Sequence, residues 1–223
     1  MDSNIVFSDV IGPVMIGPSS SHTAGACRIG NMAASIYGQE VKEIEIDFHG
    51  SFAETYQGHG TDRALVGGLM GFATDDPRII EALDIAEEKG ISIHYQRKDL
   101  GPVHPNTARV NFLEEGKIVC SVTGSSIGGG QVRIIDIDGI DTYLDGKFWT
   151  LLMTYQDRKK MIYDLTARVA NYELNIANMS VRRKDQHVTL ICDFDDGLSK
   201  DLQEELRQIQ GIENFRIIPK IID

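Results

Sequence analysis

Residues 17–23 read Gly-Pro-Ser-Ser-Ser-His-Thr, placing Ser19, Ser20, Ser21, His22 and Thr23 in consecutive positions. The stretch that follows, TAGACRIGNMAASIY, is small or helix-compatible and ends at Gly38, so it predicts a helix with a glycine stop. The serines then stand just before a helix N-terminus, where unpaired N–H groups and the helix dipole favour an anion. Serine and threonine add oriented hydroxyls, and His22 adds a proton donor. The chemistry on offer is the holding of a small anion such as a carboxylate beside a group that moves a proton. One serine suffices as an N-cap; four hydroxyls and an imidazole exceed what a cap needs. Gly25 and Gly30, inside the predicted helix, signal close backbone approach.

Three other stretches are similarly equipped. FHGSFAETYQGHGTDRALVGGLMG (48–71) carries His49, Ser51, His59, Thr61 and Asp62. Its Gly58-His59-Gly60-Thr61 segment precedes an apolar run with Asp62 in the first helical turn, a junction that can present an imidazole and a hydroxyl to a cleft. A lone histidine is more often structural than functional, so the weight rests on the combination. GPVHPNTARV (101–110) sets His104 between two prolines that fix the loop, with Asn106 and Thr107 beside it. TGSSIGGGQVRI (123–134) places Ser126 and the glycines Gly128, Gly129 and Gly130 in a loop after a strand, and glycine-rich loops can cradle anions.

The elements that must position these residues follow from periodicity. VKEIEIDF (41–48) alternates Ile44, Ile46 and Phe48 with charges, the mark of a half-buried strand. PRIIEALDIAEEKG (77–90) predicts one helix, capped by Asp75 or Asp76, with Ile79, Leu83 and Ala86 on one face and Gly90 at its end. ISIHY, ARVNFL, KIVCSVT and VRIIDI read as short strands, two of them joined by a hairpin at Glu-Glu-Gly-Lys (114–117). Composition shifts at DIDGIDTYLDGKF, and the boundary falls at about residue 145, dividing the chain into domains 1–145 and 148–223. In the second domain FWTLLMTY predicts a strand and Asp157 the cap of a helix over 158–171, with Ile162, Leu165 and Val169 on one face. LNIANMSVRR and HVTLICDF are strands. Ser199 caps a helix carrying Leu202, Leu206 and Ile209, and NFRIIPKII is the last strand. The order is βαββαβ, the ferredoxin-like plan, and the fold class is α/β (α+β).

Bulk properties exclude several function classes. The 223 residues carry a net charge of −11, which repels nucleic acid. No apolar run approaches a membrane span, and MDSNIVFSDV lacks the basic and apolar segments of a secretory signal. The three cysteines, Cys27, Cys120 and Cys192, are far apart and odd in number. That fits a reducing cytoplasm rather than a disulfide framework, and no C-x-x-C pair offers a metal cluster to this chain alone.

GPSSSHT, GHGTD, HPNT and SIGGG occur here in the order found in the β chain of iron–sulfur-dependent bacterial L-serine dehydratase (L-serine ammonia-lyase), and the resemblance runs over nearly the whole chain. It implies an N-terminal domain similar to the allosteric-substrate-binding domain of some phosphoglycerate dehydrogenases. Residues 148–223 resemble an ACT domain, NIANMSVRR most recognisably. It implies deamination of L-serine to pyruvate and ammonia in serine catabolism and gluconeogenesis. No pyridoxal phosphate takes part, and a [4Fe–4S] cluster held by the cysteines of a partner α chain acts as Lewis acid. Carried onto matching positions, the resemblance assigns proton chemistry to His59 and Thr61, with His22. It assigns the substrate carboxylate to Ser19, Ser20, Ser21 and Thr23. His104, Asn106, Ser126, Gly128, Gly129 and Gly130 complete or shape the pocket. Which histidine is the base stays open at this level.

One departure stands out. Amino-acid-binding ACT domains commonly carry an Asp-Arg-Pro-Gly-like turn after the first strand, and here it reads Asp157-Arg158-Lys159-Lys160. The expected role of this domain is therefore mainly self-association. Two other readings compete with the catalytic one: a non-catalytic amino-acid sensor reporting to a partner, and an unrelated metal-binding protein, which the cysteine spacing disfavours.

Overall fold

A computed structural model describes residues 13–221. The reading of the first ten residues as lacking a secretory signal lies outside the described residues. The chain divides into two compact units between Asp145 and Gly146.

The first unit is a six-stranded sheet in the order β2-β1-β3-β4-β5-β6. Its strands are β1 (Glu43–His49), β2 (Ser92–Arg97), β3 (Thr107–Glu114), β4 (Lys117–Gly128), β5 (Gln131–Ile137) and β6 (Ile140–Leu144). β1 and β2 run parallel, joined by a crossover through α2 (Gly50–Thr55), α3 (Thr61–Leu69) and α4 (Ala82–Glu88); the remaining pairs are antiparallel. Period-2 alternation sends Ile44, Ile46 and Phe48 of β1, and Ala108, Val110 and Phe112 of β3, into the core. The β3–β4 hairpin turns at Glu115 and Gly116, both left-handed at φ 51° and 71°, as a two-residue hairpin with the strand twist requires.

Helix α1 (Gly25–Tyr37) buries Ala26, Cys27, Ile29, Met32, Ala33 and Ile36 and closes at Gly38, left-handed at φ 70°. It packs on α3 through two glycines. A Cβ on Gly30 would stand 2.2 Å from the Leu65 carbonyl oxygen, and one on Gly68 2.0 Å from that of Cys27. The helices touch backbone to backbone at a distance only glycine permits.

Several expectations are corrected. The segment 77–90 is a 3₁₀ turn, Pro77–Glu81, running into the shorter α4, with Asp76 capping the turn by accepting from the Arg78 amide. β4 runs through Ser125 and Ser126, so the serine pair lies in a strand and not in the glycine loop. β6, hidden in the Asp- and Gly-rich stretch, is a fifth ladder partner reached through the left-handed turn at Asp138 and Gly139.

The second unit has sheet order β10-β7-β9-β8, with β7 (Trp149–Gln156), β8 (Ile176–Lys184), β9 (His187–Phe194) and β10 (Ile212–Ile218). With α5 (Met161–Asn171) and α6 (Lys200–Arg207) this is βαββαβ, the ferredoxin-like plan. Its core holds Leu151, Met153, Leu165, Val169, Leu190, Cys192, Phe194, Leu202 and Leu206. Ser199 caps α6 through its hydroxyl. Asp157 does not cap α5. Its carboxylate instead meets Arg183 at 2.8 Å, and the helix begins three residues later behind Lys160. Met161, rather than Ile162, then joins Leu165 and Val169 on the buried face. Lys160 sits at φ 70°, so the turn keeps the left-handed path that a glycine would take, at a cost of about 1 kcal/mol.

Candidate functional site

The hydroxyl run lies inside the helix it was expected to precede. Ser20–Ala24 form one π turn that continues directly into α1, closed by the Gly25 amide donating to the Ser20 carbonyl. Such turns recur at functional sites. Ser19 is the N-cap: its Oγ accepts the His22 amide at 3.3 Å. Thr23 Oγ1 donates to the Ser19 carbonyl, and its methyl end fits against Gly17, whose left-handed φ of 131° and bare Cα leave it room.

His22 is the centre of the cluster. Its Nδ1 lies 3.3 Å from Ser19 Oγ and its Nε2 3.1 Å from Ser51 Oγ. The ring meets Phe52 edge-on at 5.2 Å between centroids and His59 at 4.8 Å, the latter nearly perpendicular at 77°. Burial, and then the charge that His59 can carry, hold the His22 imidazole below its ordinary value of 6.5, so the ring is neutral at neutral pH.

The remaining motifs reach the cluster because one end of the sheet gathers them. His49, Thr107 and Ser125 are partners across β1, β3 and β4 at that end. Past His49 the chain enters α2, where Gly50 (φ 53°) lies so close to Pro105 that a Cβ would stand 2.7 Å from its carbonyl oxygen. This contact fixes Ser51 and Phe52 against the loop of His104 and Pro105. Asn106 extends the chain of contacts by accepting the Ser126 amide at 2.8 Å. Strand alternation turns Ser126 toward the helices, and its Oγ faces Gly25, where a Cβ would stand 2.1 Å away. Segments around residues 22, 51, 105 and 126 thus close into a ring, with His59 set against His22 beside it.

His59 is exposed on the turn before α3, with Gly60 left-handed at φ 68° as the N-cap. Thr61 is fully buried at the first position of α3. Among the described residues, Thr61 Oγ1 and Ser126 Oγ are both enclosed without a hydrogen-bond partner, an arrangement that costs about 1–3 kcal/mol per group unless water or a ligand supplies one. Asp62 is buried behind Thr61, and desolvation raises its carboxyl.

Not every candidate converges on His22. Ser20 and Ser21 are half-buried in the π turn. The His104 ring is exposed and turned onto its own loop, its Nδ1 accepting the Asn106 amide at 3.1 Å. Gly128, Gly129 and Gly130 form the left-handed turn from β4 to β5, tied to α1 by Arg28 donating to the Gly130 carbonyl at 2.7 Å. Ser51 and Phe52 are the neighbours of His22 that motif reading left unassigned. The signal available for Ser51 was its place directly after a strand end and a glycine.

The cysteines do not fit an iron–sulfur cluster. Cys27 and Cys120 are buried in the first unit and Cys192 in the second. Burial pushes the thiols of Cys27 and Cys192 up to about 12, which opposes the thiolate that iron requires. Cys27 Sγ donates to the Phe72 carbonyl at 3.3 Å. Among the described residues no three His, Cys, Asp or Glu side chains come together as metal ligands, and no helix is long and apolar enough to cross a membrane.

Fold and site define a class: an α/β unit that gathers hydroxyls and imidazoles at the starts of two helices, followed by a ferredoxin-like unit. A family model described as serine dehydratase beta chain matches residues 10–136. The chain is 44% identical over 206 residues to a probable L-serine dehydratase beta chain of Bacillus subtilis (strain 168), covering 92% of this chain and 93% of that one. It is 39% identical over 210 residues to the L-serine dehydratase beta chain of Peptoniphilus asaccharolyticus, covering 93% of each. The chain belongs to the serine dehydratase β-chain family. A D-3-phosphoglycerate dehydrogenase of Bacillus subtilis (strain 168) is 24% identical over 197 residues, 86% of this chain and 37% of that protein. Among solved structures, the ACT domain from the GTP pyrophosphokinase of Chlorobium tepidum covers 31% of this chain and 95% of its own, with 20% identity and a TM-score of 0.27. The ferredoxin-like assignment of the second unit rests on its own strand order.

Proposed function

We propose that this chain is the β subunit of an L-serine ammonia-lyase and supplies the proton-handling and carboxylate-binding part of an active site that an α chain completes. The observation that carries the reading is the ring of contacts around His22, which joins four motifs spread over more than 100 residues of sequence. The reaction removes the Cα proton and the β-hydroxide of L-serine. The resulting aminoacrylate takes up water and releases ammonia and pyruvate, without pyridoxal phosphate. Imidazole suits removal of a weakly acidic proton near neutral pH. The Ser20 and Ser21 hydroxyls at the head of the π turn suit a carboxylate, whereas the Thr23 hydroxyl already donates to the Ser19 carbonyl. The buried thiols of this chain offer no cluster site, so the reading places a [4Fe–4S] cluster on the α chain and assigns this chain proton transfer and substrate binding only.

The test is co-expression with a cysteine-containing α chain, followed by a pyruvate assay. The complex is expected to deaminate serine, and this chain alone to be colourless and inactive. Replacing Cys27, Cys120 or Cys192 singly by serine is expected to leave the iron content of the complex unchanged. Brown iron–sulfur absorbance with turnover in the isolated chain, or iron loss in a folded cysteine variant, would overturn the assignment.

The second unit carries assembly in the same reading. Among the described residues β8 is an edge strand paired with β9 alone, and Val181 on it is 46% exposed. With Tyr155, Met161, Ile162 and Val188 it lines a cavity of about 300 Å³ that Arg158, Lys160 and Arg183 also border. An open edge beside apolar side chains invites a second copy. Deleting residues 148–223 is expected to reduce the particle in sedimentation while the remaining complex still dehydrates serine. An unchanged particle size would refute the assembly role.

A further inference from the structure

The His22 ring is held at both nitrogens by hydroxyls, and one of the two directions open to this chain of groups leaves a hydrogen for a ligand. Ser19 Oγ accepts the His22 amide, and its single hydrogen is free to be given to Nδ1, 3.3 Å away. With Nδ1 an acceptor, the neutral ring carries its hydrogen on Nε2. Nε2–H then donates to Ser51 Oγ at 3.1 Å, and the hydrogen of Ser51 is left for a ligand. The ring stays neutral because burial and His59 oppose its charging. Edge contacts with Phe52 and His59 hold its plane. Ser51 is itself fixed, since Gly50 is pressed against Pro105 and the Ser51 carbonyl accepts Thr55 Oγ1 at 2.8 Å.

We infer that Ser51 is the positioning residue of His22: it holds the ring in the Nε2–H tautomer, and its own hydroxyl is the outward donor to the anionic group of the bound ligand. The ligand class, a carboxylate, rests on the proposed function. This arrangement also bears on the choice between the histidines. With Nδ1 accepting from Ser19 and Nε2 donating, His22 takes up a proton only if the Ser19 hydroxyl turns from donor to acceptor. In this arrangement His22 relays hydrogen bonding, which leaves the exposed His59 as the base of the proposed reaction.

Two measurements test this. Nitrogen-15 NMR of the full chain, labelled at histidine, reports the His22 tautomer without any need for turnover. The wild type is expected to show one neutral Nε2–H form, Ser51→Ala a mixture of both tautomers, and Ser51→Thr the wild-type form. Ser51→Cys, a poor acceptor of similar volume, is the second variant and is expected to behave as alanine. In the assembled enzyme Ser51→Ala is expected to raise KM for serine about 10-fold or more with a smaller change in kcat, the loss of one hydrogen bond to a charged group. Ser51→Thr restores it. A single unchanged tautomer in both Ser51→Ala and Ser51→Cys, or a KM unmoved by either, overturns the inference. A wild-type complex that turns over no serine would sink the proposed reaction, and the tautomer result would still decide the role of Ser51.

Discussion

His59→Ala in the assembled enzyme is expected to lower kcat by about 10²-fold or more, the usual contribution of a positioned proton-transfer group. The residue stands on the turn before α3, exposed, with its ring 4.8 Å from that of His22. Its backbone is set by Gly60, left-handed at φ 68°, and by its own amide donating to the Thr55 carbonyl at 3.0 Å. The side chain can therefore be removed without disturbing the core. The pH profile supplies an independent reading. His22 is depressed by burial first and by His59 second. As pH falls, its protonation reverses the Ser19 hydrogen bond and so interrupts the relay, and the acid limb of kcat/KM due to His22 lies below pH 6.5. Removing His59 removes one of the two causes, and the limb moves back up toward 6.5. Near-normal turnover in His59→Ala would place the base on the α chain and favour a sensing role for this subunit.

Gly68→Val is expected to destabilise the first unit by about 3 kcal/mol or more, as overpacking between rigid neighbours does. A Cβ at this position would stand 2.0 Å from the Cys27 carbonyl oxygen and 3.0 Å from the Asn31 amide nitrogen. Those are backbone atoms of α1, so no side-chain rotation relieves the clash and the two helices must part. Their separation also moves the π turn at the head of α1, and with it His22. Thermal unfolding of the full chain is expected to begin roughly 5–10 °C lower. Gly58→Ala is the control, since the nearest atom there is the Thr55 carbonyl oxygen at an ordinary 3.7 Å. Equal melting of the two variants would show that the helix contact is softer than its geometry implies.

What could be read ahead of the structure was whatever depends on local pattern. Alternation at Ile44, Ile46 and Phe48, and at Val188, Leu190, Cys192 and Phe194, marked strands because one face of each is buried. Ser199 marked a helix start because its hydroxyl meets an amide three residues on. Errors arose where a distant partner outbid the local rule. Asp157 has the chemistry of a cap, but Arg183 on β8 takes its carboxylate. The Ser125–Ser126 pair reads as loop, but pairing with β3 and β5 draws it into β4. β6 carries a weak pattern of its own and exists because β5 offers an edge.

The sequence by itself determined that hydroxyls and imidazoles cluster at helix starts, that the cysteines stand apart, and that a βαββαβ unit closes the chain, since all three depend on residue type and spacing. Only the tertiary structure decided which of those groups meet. Ser51 is 29 residues from His22 and shares no motif with it, yet its hydroxyl is 3.1 Å from Nε2. His104, inside a motif, turns its ring away onto its own backbone. The physical reason is that partner choice is set by where strands end and how closely helices approach. Here the latter rests on bare glycine Cα atoms at Gly25, Gly30 and Gly68, whose partners lie far along the chain and leave no trace in local pattern.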